Sequence, residues 1–159
     1  MSTVECYSCV QSSADNLPIR ENICSEGGWR VAHSFNSSLP GWLVIVPLRH
    51  ISSPDEMTDG EAEALGRLIR DASLALKRTT NCEKTYVMMF GEAEGFSHLH
   101  YHLVPRMSDL PDERRGPNIF AYLKETALSF AAQDEIAQHI RNAWPTSECS
   151  RRARAAPWD

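Results

Sequence analysis

Three histidines alternate with larger residues in the run His98-Leu99-His100-Tyr101-His102. Residues two apart on a β-strand share a face, so this spacing predicts three imidazoles on one surface and the intervening side chains in the core. Three imidazoles on one strand face are costly to bury without partners. The residues alone leave two kinds of chemistry open, a metal cage and nucleophilic catalysis.

A pair of cysteines, Cys6-x-x-Cys9, forms a second candidate site. The chain has five cysteines, an odd number with irregular spacing, so the sequence predicts no disulfide framework. In a reducing compartment the pair is interpreted as metal-binding or redox-active. The other three are expected to be ordinary core or surface residues: Cys24, Cys82 and Cys149.

The elements that must position these residues follow from hydrophobic spacing and capping signals. Gly27-Gly28 predicts the turn of a β-hairpin, and Thr58 with Glu61 predicts a capping box that begins a long helix. Trp29 and Trp42 are expected in the core. The predicted strands are 42–46, 84–90 and 98–104, the main helix is 59–78, and helical spacing continues at 118–130 and 134–144.

Length and charge bound the possible functions. A chain of 159 residues is enough for one domain with tails, and a net charge of −5 argues against broad capture of nucleic acid. No apolar run approaches a membrane span, and no secretory signal is visible, so a cytoplasmic protein is expected. The expected organisation is an arm over 1–20, a core over 21–110, a helical extension over 111–145 and a flexible basic tail over 146–159.

The run from His98 to Val104, followed by Pro105-Arg106, resembles the signature of the histidine triad family of nucleotide hydrolases and transferases. Residues 40–50 resemble the strand and basic turn that precede the helix in that family, and the resemblance covers roughly residues 5–107. It implies an α+β fold, in which one long helix packs on an antiparallel sheet and helices follow at the C-terminal end. It also implies a homodimer.

The resemblance assigns catalytic roles to three residues. His100 would be the nucleophile that attacks an α-phosphorus and forms a covalent nucleotidyl-histidine, and an imidazole has a neutral nitrogen available near pH 7 for that step. His102 is in the position whose family counterpart contacts the phosphate. Ser97 is near enough in sequence to donate to a phosphoryl oxygen or a leaving group.

Bacterial members of the family that carry an N-terminal Cys-x-x-Cys bind a structural zinc ion. By this resemblance the ligands here would be Cys6, Cys9, His50 and His98. Two thiolates and two imidazoles form a closed tetrahedral set, which suits Zn²⁺ in a structural role. A redox pair, or two idle cysteines in a flexible arm, are the alternatives.

Nucleotide-binding residues are expected at three positions. His33 lies near the region in which the family shapes its ribose pocket, and a structural role for it is equally open. Ser34 stands where the family often has an acidic or amide residue that binds the ribose diol. Glu94 stands where many members have a glutamine that binds the phosphate, and a carboxylate there is unfavourable beside an anion.

The leading hypothesis is a zinc-containing hydrolase of a nucleoside phosphate linkage, of the diadenosine polyphosphate or adenosine phosphoramidate type. Its partners would be a nucleotide substrate and a second copy of the chain, without nucleic acid or membrane. The alternatives are a nucleotidyltransferase that passes the nucleotidyl group to another acceptor, and a zinc-stabilised nucleotide-binding module with little catalysis.

Overall fold

The computed structural model describes residues 5–145 and Cys149. Five strands form one antiparallel sheet in the order β1-β2-β3-β5-β4. The predicted hairpin is confirmed, since β1 and β2 pair across Gly27-Gly28. The α+β architecture is likewise confirmed. The strands are β1 (Cys24–Glu26), β2 (Trp29–His33), β3 (Leu43–Pro47), β4 (Lys84–Met88) and β5 (Tyr101–Arg106).

Along residues 5–145, three α-helices accompany the sheet: α1 (Tyr7–Ser13), α2 (Asp59–Thr80) and α3 (Phe130–Asn142). The predicted capping box is present at the start of α2, where the Thr58 hydroxyl accepts from the Glu61 N–H at 3.2 Å. The Glu61 carboxylate accepts from the Thr58 N–H at 2.8 Å in return. Within residues 5–145, no helix has both the length and the apolar character that a membrane span needs.

The two faces of the sheet have different roles. One face packs against α2 and α3 and forms the main core, which includes Trp29, Val31, Leu43, Ile45 and Leu103. Because side chains alternate along a strand, the residues between these point to the opposite face. That second face contributes to a cavity both polar side chains, Arg30 and His102, and apolar ones, Ala32, Val44 and Val46.

The strand that carries the histidines is shorter than the sequence predicts. β5 begins at Tyr101, so His98 and His100 precede it, and the prediction that all three histidines line one strand face is wrong. The Leu99 N–H donates to the Ile51 carbonyl at 2.7 Å instead of joining the sheet. Leu99 and Leu103 are nevertheless buried in the core, as the alternation predicts.

The helices at the C-terminal end also differ from the predicted spans. Residues 116–123 form a 3₁₀ helix, and α3 begins at Phe130, four residues before the predicted start. The Ser129 side chain accepts from the Ala132 N–H at 3.2 Å and so sets the beginning of α3. A capping serine without an acidic partner three residues later gave no clear signal in the sequence.

Two cysteines that were expected to be unpaired form a disulfide. Cys24 in β1 is joined to Cys149, with Cα atoms 5.1 Å apart and a sequence separation of 125. Both are buried. Spacing alone cannot reveal a pairing that the fold creates between such distant positions. The rest of the predicted basic tail, 146–148 and 150–159, lies outside the described residues.

Candidate functional site

Four cysteine and histidine side chains converge beside the sheet. The Cys6 Sγ lies 3.4 Å from the His98 Nδ1, and the Cys9 Sγ lies 3.2 Å from the His50 Nδ1 and 3.5 Å from the His98 Nδ1. All four ligand atoms lie within 4.8 Å of one another. Zn–S and Zn–N bonds of ~2.3 and ~2.05 Å in a tetrahedron give a sulfur–nitrogen separation of about 3.6 Å. The four residues therefore fit a zinc ion.

The surroundings of His98 suit a metal ligand. Its Nε2–H donates to the Pro47 carbonyl at 2.9 Å, so the lone pair is on Nδ1, which faces the two thiols. The ring is fully buried, and burial lowers the pKa of His98 and favours the neutral form that coordinates metal. The backbone of β3 thus orients a ligand supplied by the segment before β5.

Removing one thiol is expected to abolish stoichiometric zinc binding, because three ligands remain and one of them, His50, is exposed. The variant is Cys9→Ala, and the matched control is Cys82→Ala, since Cys82 is buried outside the cluster. Elemental analysis after dialysis is expected to give about one zinc ion per chain in the control and close to none in Cys9→Ala. Equal zinc content in the two variants would contradict the assignment.

A cavity of about 370 Å³ lies on the sheet face opposite α2. His100 and His102 line one part of it, with ring centroids 4.9 Å apart. His98 does not line this cavity, because its ring turns toward the cysteines. The structure therefore places His98 in the cysteine–histidine cluster, and His100 and His102 in the pocket.

The nitrogen atoms of His100 are distinguished by a backbone contact. The His100 Nδ1–H donates to the carbonyl oxygen of His98 at 2.8 Å. The proton is therefore on Nδ1, and the lone pair is on Nε2. Attack by Nε2 requires this tautomer. His98, which offers a ring nitrogen to the cysteine–histidine cluster, thus also fixes the tautomer of His100 through its carbonyl oxygen.

His102 has the opposite tautomer. The Trp42 indole N–H donates to the His102 Nδ1 at 3.0 Å, so the proton of the ring is on Nε2. Burial, with a smaller contribution from the nearby His100, lowers the pKa of His102 to about 3. The ring therefore stays neutral near pH 7 and can donate a hydrogen bond from Nε2 to an anionic oxygen. Phe120 packs on the same ring with centroids 5.1 Å apart and helps to exclude water.

Two predicted nucleotide-binding residues, His33 at the end of β2 and Ser34 directly after it, both line the cavity. The His33 Nδ1–H donates to the Ser34 carbonyl at 2.9 Å, and its Nε2 accepts from the Gly41 N–H at 3.1 Å. Both ring nitrogens are therefore used by the backbone, and burial lowers the pKa of His33 to about 4. The Ser34 hydroxyl donates to the Asn36 side chain at 2.9 Å, in the same wall.

The loop between β4 and β5 places its residues differently from the expectation. Glu94 and Ser97 are exposed, and neither is among the residues that line the cavity. The Phe96 N–H donates to the Ala93 carbonyl at 2.9 Å, and this tight turn directs Phe96 rather than Glu94 into the pocket. The acidic residue of this loop that does line the cavity is Glu92.

Sequence reasoning missed an aromatic wall and a buried ion pair. Tyr7, Phe35 and Phe96 line the cavity, with centroids of Tyr7 and Phe35 4.9 Å apart. Behind them, Arg30 pairs with Glu21 at 3.2 Å, and both are buried. A charged residue inside the otherwise apolar run of β2 was the only signal for the pair; the three rings come from separate segments and gave none.

Comparison with known proteins indicates the fold. No protein-family model matches the sequence, and no curated protein sequence matches it significantly. A zinc-bound histidine triad family protein from Mycobacterium smegmatis is 16% identical over 98% of this chain and 100% of that chain, with a TM-score of 0.64.

Two further solved structures extend the comparison. A histidine triad protein from Sinorhizobium meliloti is 22% identical over 77% of this chain and 88% of that one, with a TM-score of 0.64. A uridylyltransferase is 18% identical over 88% of this chain and 45% of that one, with a TM-score of 0.60. The fold is thus shared with histidine triad proteins and with a uridylyltransferase.

Proposed function

Because the chain has the histidine triad fold, we propose that it hydrolyses a nucleoside phosphate linkage, of the diadenosine polyphosphate or adenosine phosphoramidate type, through a nucleotidyl group on His100. The observation that carries the proposal is the bond from His100 Nδ1 to the His98 carbonyl, which leaves Nε2 as the free nitrogen of a pocket residue. A fixed lone pair beside a cavity suits nucleophilic attack.

In the first step the His100 Nε2 attacks the α-phosphorus, a nitrogen–phosphorus bond forms, and the bond to the leaving group breaks. The leaving group departs with the electron pair and takes up a proton. Positive charge that develops on the imidazole is stabilised by the His98 carbonyl, which accepts from Nδ1. Water then attacks the same phosphorus, the nitrogen–phosphorus bond breaks with its electron pair returning to Nε2, and the proton of the water passes to solvent. The mononucleotide leaves, and the ring is neutral again.

His102 supports both steps without changing charge. Since Trp42 holds the proton of this ring on Nε2, the ring donates to a phosphoryl oxygen as charge builds up there. Ser97 remains a predicted donor to the leaving group, and Ser34 a predicted contact of the ribose. Glu94 would reach the phosphate only if the exposed loop turned inward.

We also propose that zinc has a structural role. The cluster supplies four protein ligands, which leaves no open position for water or substrate. When bound, the ion would cross-link α1 to the ends of β3 and β5.

A specific observation favours each alternative function. The similarity to a uridylyltransferase favours transfer to an acceptor other than water. The carboxylate of Glu92 lines the pocket, and a negative charge beside a phosphate opposes the build-up of further negative charge on the phosphoryl oxygens during attack. This observation favours a binding module with little catalysis.

The test is to incubate the protein with each substrate, quench in alkali and search the peptide that contains His100 for a nucleotidyl group. Phosphorus–nitrogen bonds survive alkali, so a transient adduct together with released mononucleotide is the expected result. An adduct that persists until a sugar phosphate is added would indicate the transferase. Binding without adduct or product would contradict both reactions and leave the binding module.

A further inference from the structure

The helix that carries the metal-binding thiols also forms a wall of the pocket. Tyr7 and Ser8 lie between Cys6 and Cys9 in sequence, and both line the cavity. Since α1 is only seven residues long, its position depends on contacts with the rest of the molecule. The cysteine–histidine cluster supplies such contacts at Cys6 and Cys9.

Tyr7 is one of three rings that form an apolar slot. Its centroid is 4.9 Å from that of Phe35 and 5.8 Å from that of Phe96, and Phe35 stacks on Phe96 with centroids 5.8 Å apart. The three rings are half-buried, so part of each faces the cavity. A slot of this kind suits a flat aromatic group, since ring faces offer a large contact area.

The other end of Tyr7 is held by a buried network. The Tyr7 hydroxyl donates to the Glu21 carboxylate at 2.7 Å. Arg30 pairs with Glu21 and also donates to the hydroxyl of Ser12 in α1 at 3.4 Å. The position of the Tyr7 ring is thus set by the cysteine–histidine cluster on one side and by the Arg30–Glu21 ion pair on the other.

Phe35 is fixed separately. The side chain of Gln133 in α3 is fully buried, and its Nε2 donates to the Phe35 carbonyl at 3.0 Å. The position of Phe35 therefore does not depend on the cysteine–histidine cluster, so loss of metal would disturb Tyr7 while Phe35 stays in place.

We propose that Tyr7 determines specificity by stacking on the planar base of the nucleotide, and that zinc at the four-residue cluster holds Tyr7 in place. Metal occupancy then sets the affinity for the base, in addition to stabilising the fold. The inference rests on the proposed function, since it assumes that the ligand of the pocket is a nucleotide. Its phosphate would lie at the histidine end of the pocket and its base between the aromatic rings.

The first test compares the binding of AMP and of ribose 5-phosphate, which lacks the base, by calorimetry on zinc-loaded protein. Tyr7→Ala is expected to raise the Kd for AMP about tenfold and to leave the Kd for ribose 5-phosphate unchanged. Tyr7→Phe keeps the ring but loses the bond to Glu21, so its Kd for AMP is expected to lie between those of the wild type and Tyr7→Ala. The matched control is Val10→Ala, an exposed residue of the same helix. Unchanged AMP affinity in Tyr7→Ala would overturn the proposal.

The second test removes zinc with a chelator while circular dichroism follows the fold. The wild-type protein is expected to lose AMP affinity relative to ribose 5-phosphate by about the same factor as Tyr7→Ala. Chelation of Tyr7→Ala is expected to cause no further relative loss, because both changes act through one contact. Additive losses would overturn the coupling between metal and base.

The two proposals can fail separately. A Tyr7-dependent affinity for AMP without any adduct on His100 would leave the base site standing and remove the reaction. Adduct formation on His100 together with an AMP affinity that does not depend on Tyr7 would support the reaction and overturn the base site. A wild-type protein that binds no AMP would overturn the base site.

Discussion

Replacing His100 with Asn is expected to lower the turnover number for mononucleotide release by about 10⁴-fold or more. Asparagine has no nucleophilic nitrogen, so the covalent route closes and only uncatalysed attack by water within the pocket remains. His100 is half-buried and makes one backbone hydrogen bond, so its replacement should leave the fold intact. The measurement is the single-turnover rate with each proposed substrate.

The control for this variant is His139→Asn, an exposed histidine of α3 that is remote from the residues lining the cavity. Its turnover number is expected to equal that of the wild type. Zinc content and the far-ultraviolet spectrum should be unchanged in both variants. Turnover that survives in His100→Asn would rule out the nucleotidyl-histidine mechanism.

The second large effect concerns stability. Replacing Arg30 with Met is expected to lower the free energy of unfolding by about 3–5 kcal/mol, because Glu21 then remains buried without its cation. Only 3% of the Arg30 side chain and 9% of the Glu21 side chain are exposed, so water cannot compensate for the lost partner. The measurement is equilibrium unfolding in urea, with the midpoint and the slope fitted separately.

Two further variants separate burial from charge. Arg115→Met removes a side chain that is 43% exposed and pairs at 2.9 Å with Asp112, which is 87% exposed, and its expected cost is below about 1 kcal/mol. The double variant Arg30→Met, Glu21→Gln is expected to regain part of the lost stability, because no buried charge is left unpaired. Equal costs for Arg30→Met and Arg115→Met would show that burial of the pair is unimportant.

The sequence predicted the elements with strong local signals. The capping box of α2 and the buried strand β3 follow from residues that lie next to one another, and both are confirmed. The start of β5 was predicted too early because the alternation of His98 and His100 fits a strand. The His98 ring instead turns to the cysteines, and that preference depends on a contact with a residue 92 positions away.

The candidate site was predictable in part, for the same reason. The resemblance selected the four cluster residues, and the structure brings them together. The aromatic wall could not be predicted, because Tyr7, Phe35 and Phe96 come from three segments that only the fold assembles. Glu92 lines the cavity in place of the predicted Glu94, and this difference depends on one turn in a short loop. The homodimer, the compartment and the domain boundaries remain predictions.

The separation between the cluster residues has a consequence for how the protein is made. Cys6 leaves the ribosome 92 residues before His98, which at about 5–20 residues per second is roughly 5–20 seconds. During that time the two thiols lack at least one of their histidine partners, and other thiols or metal ions in the cell can reach them. The first described helix to be synthesised therefore gains its last metal-binding partner only when the segment before β5 has been made.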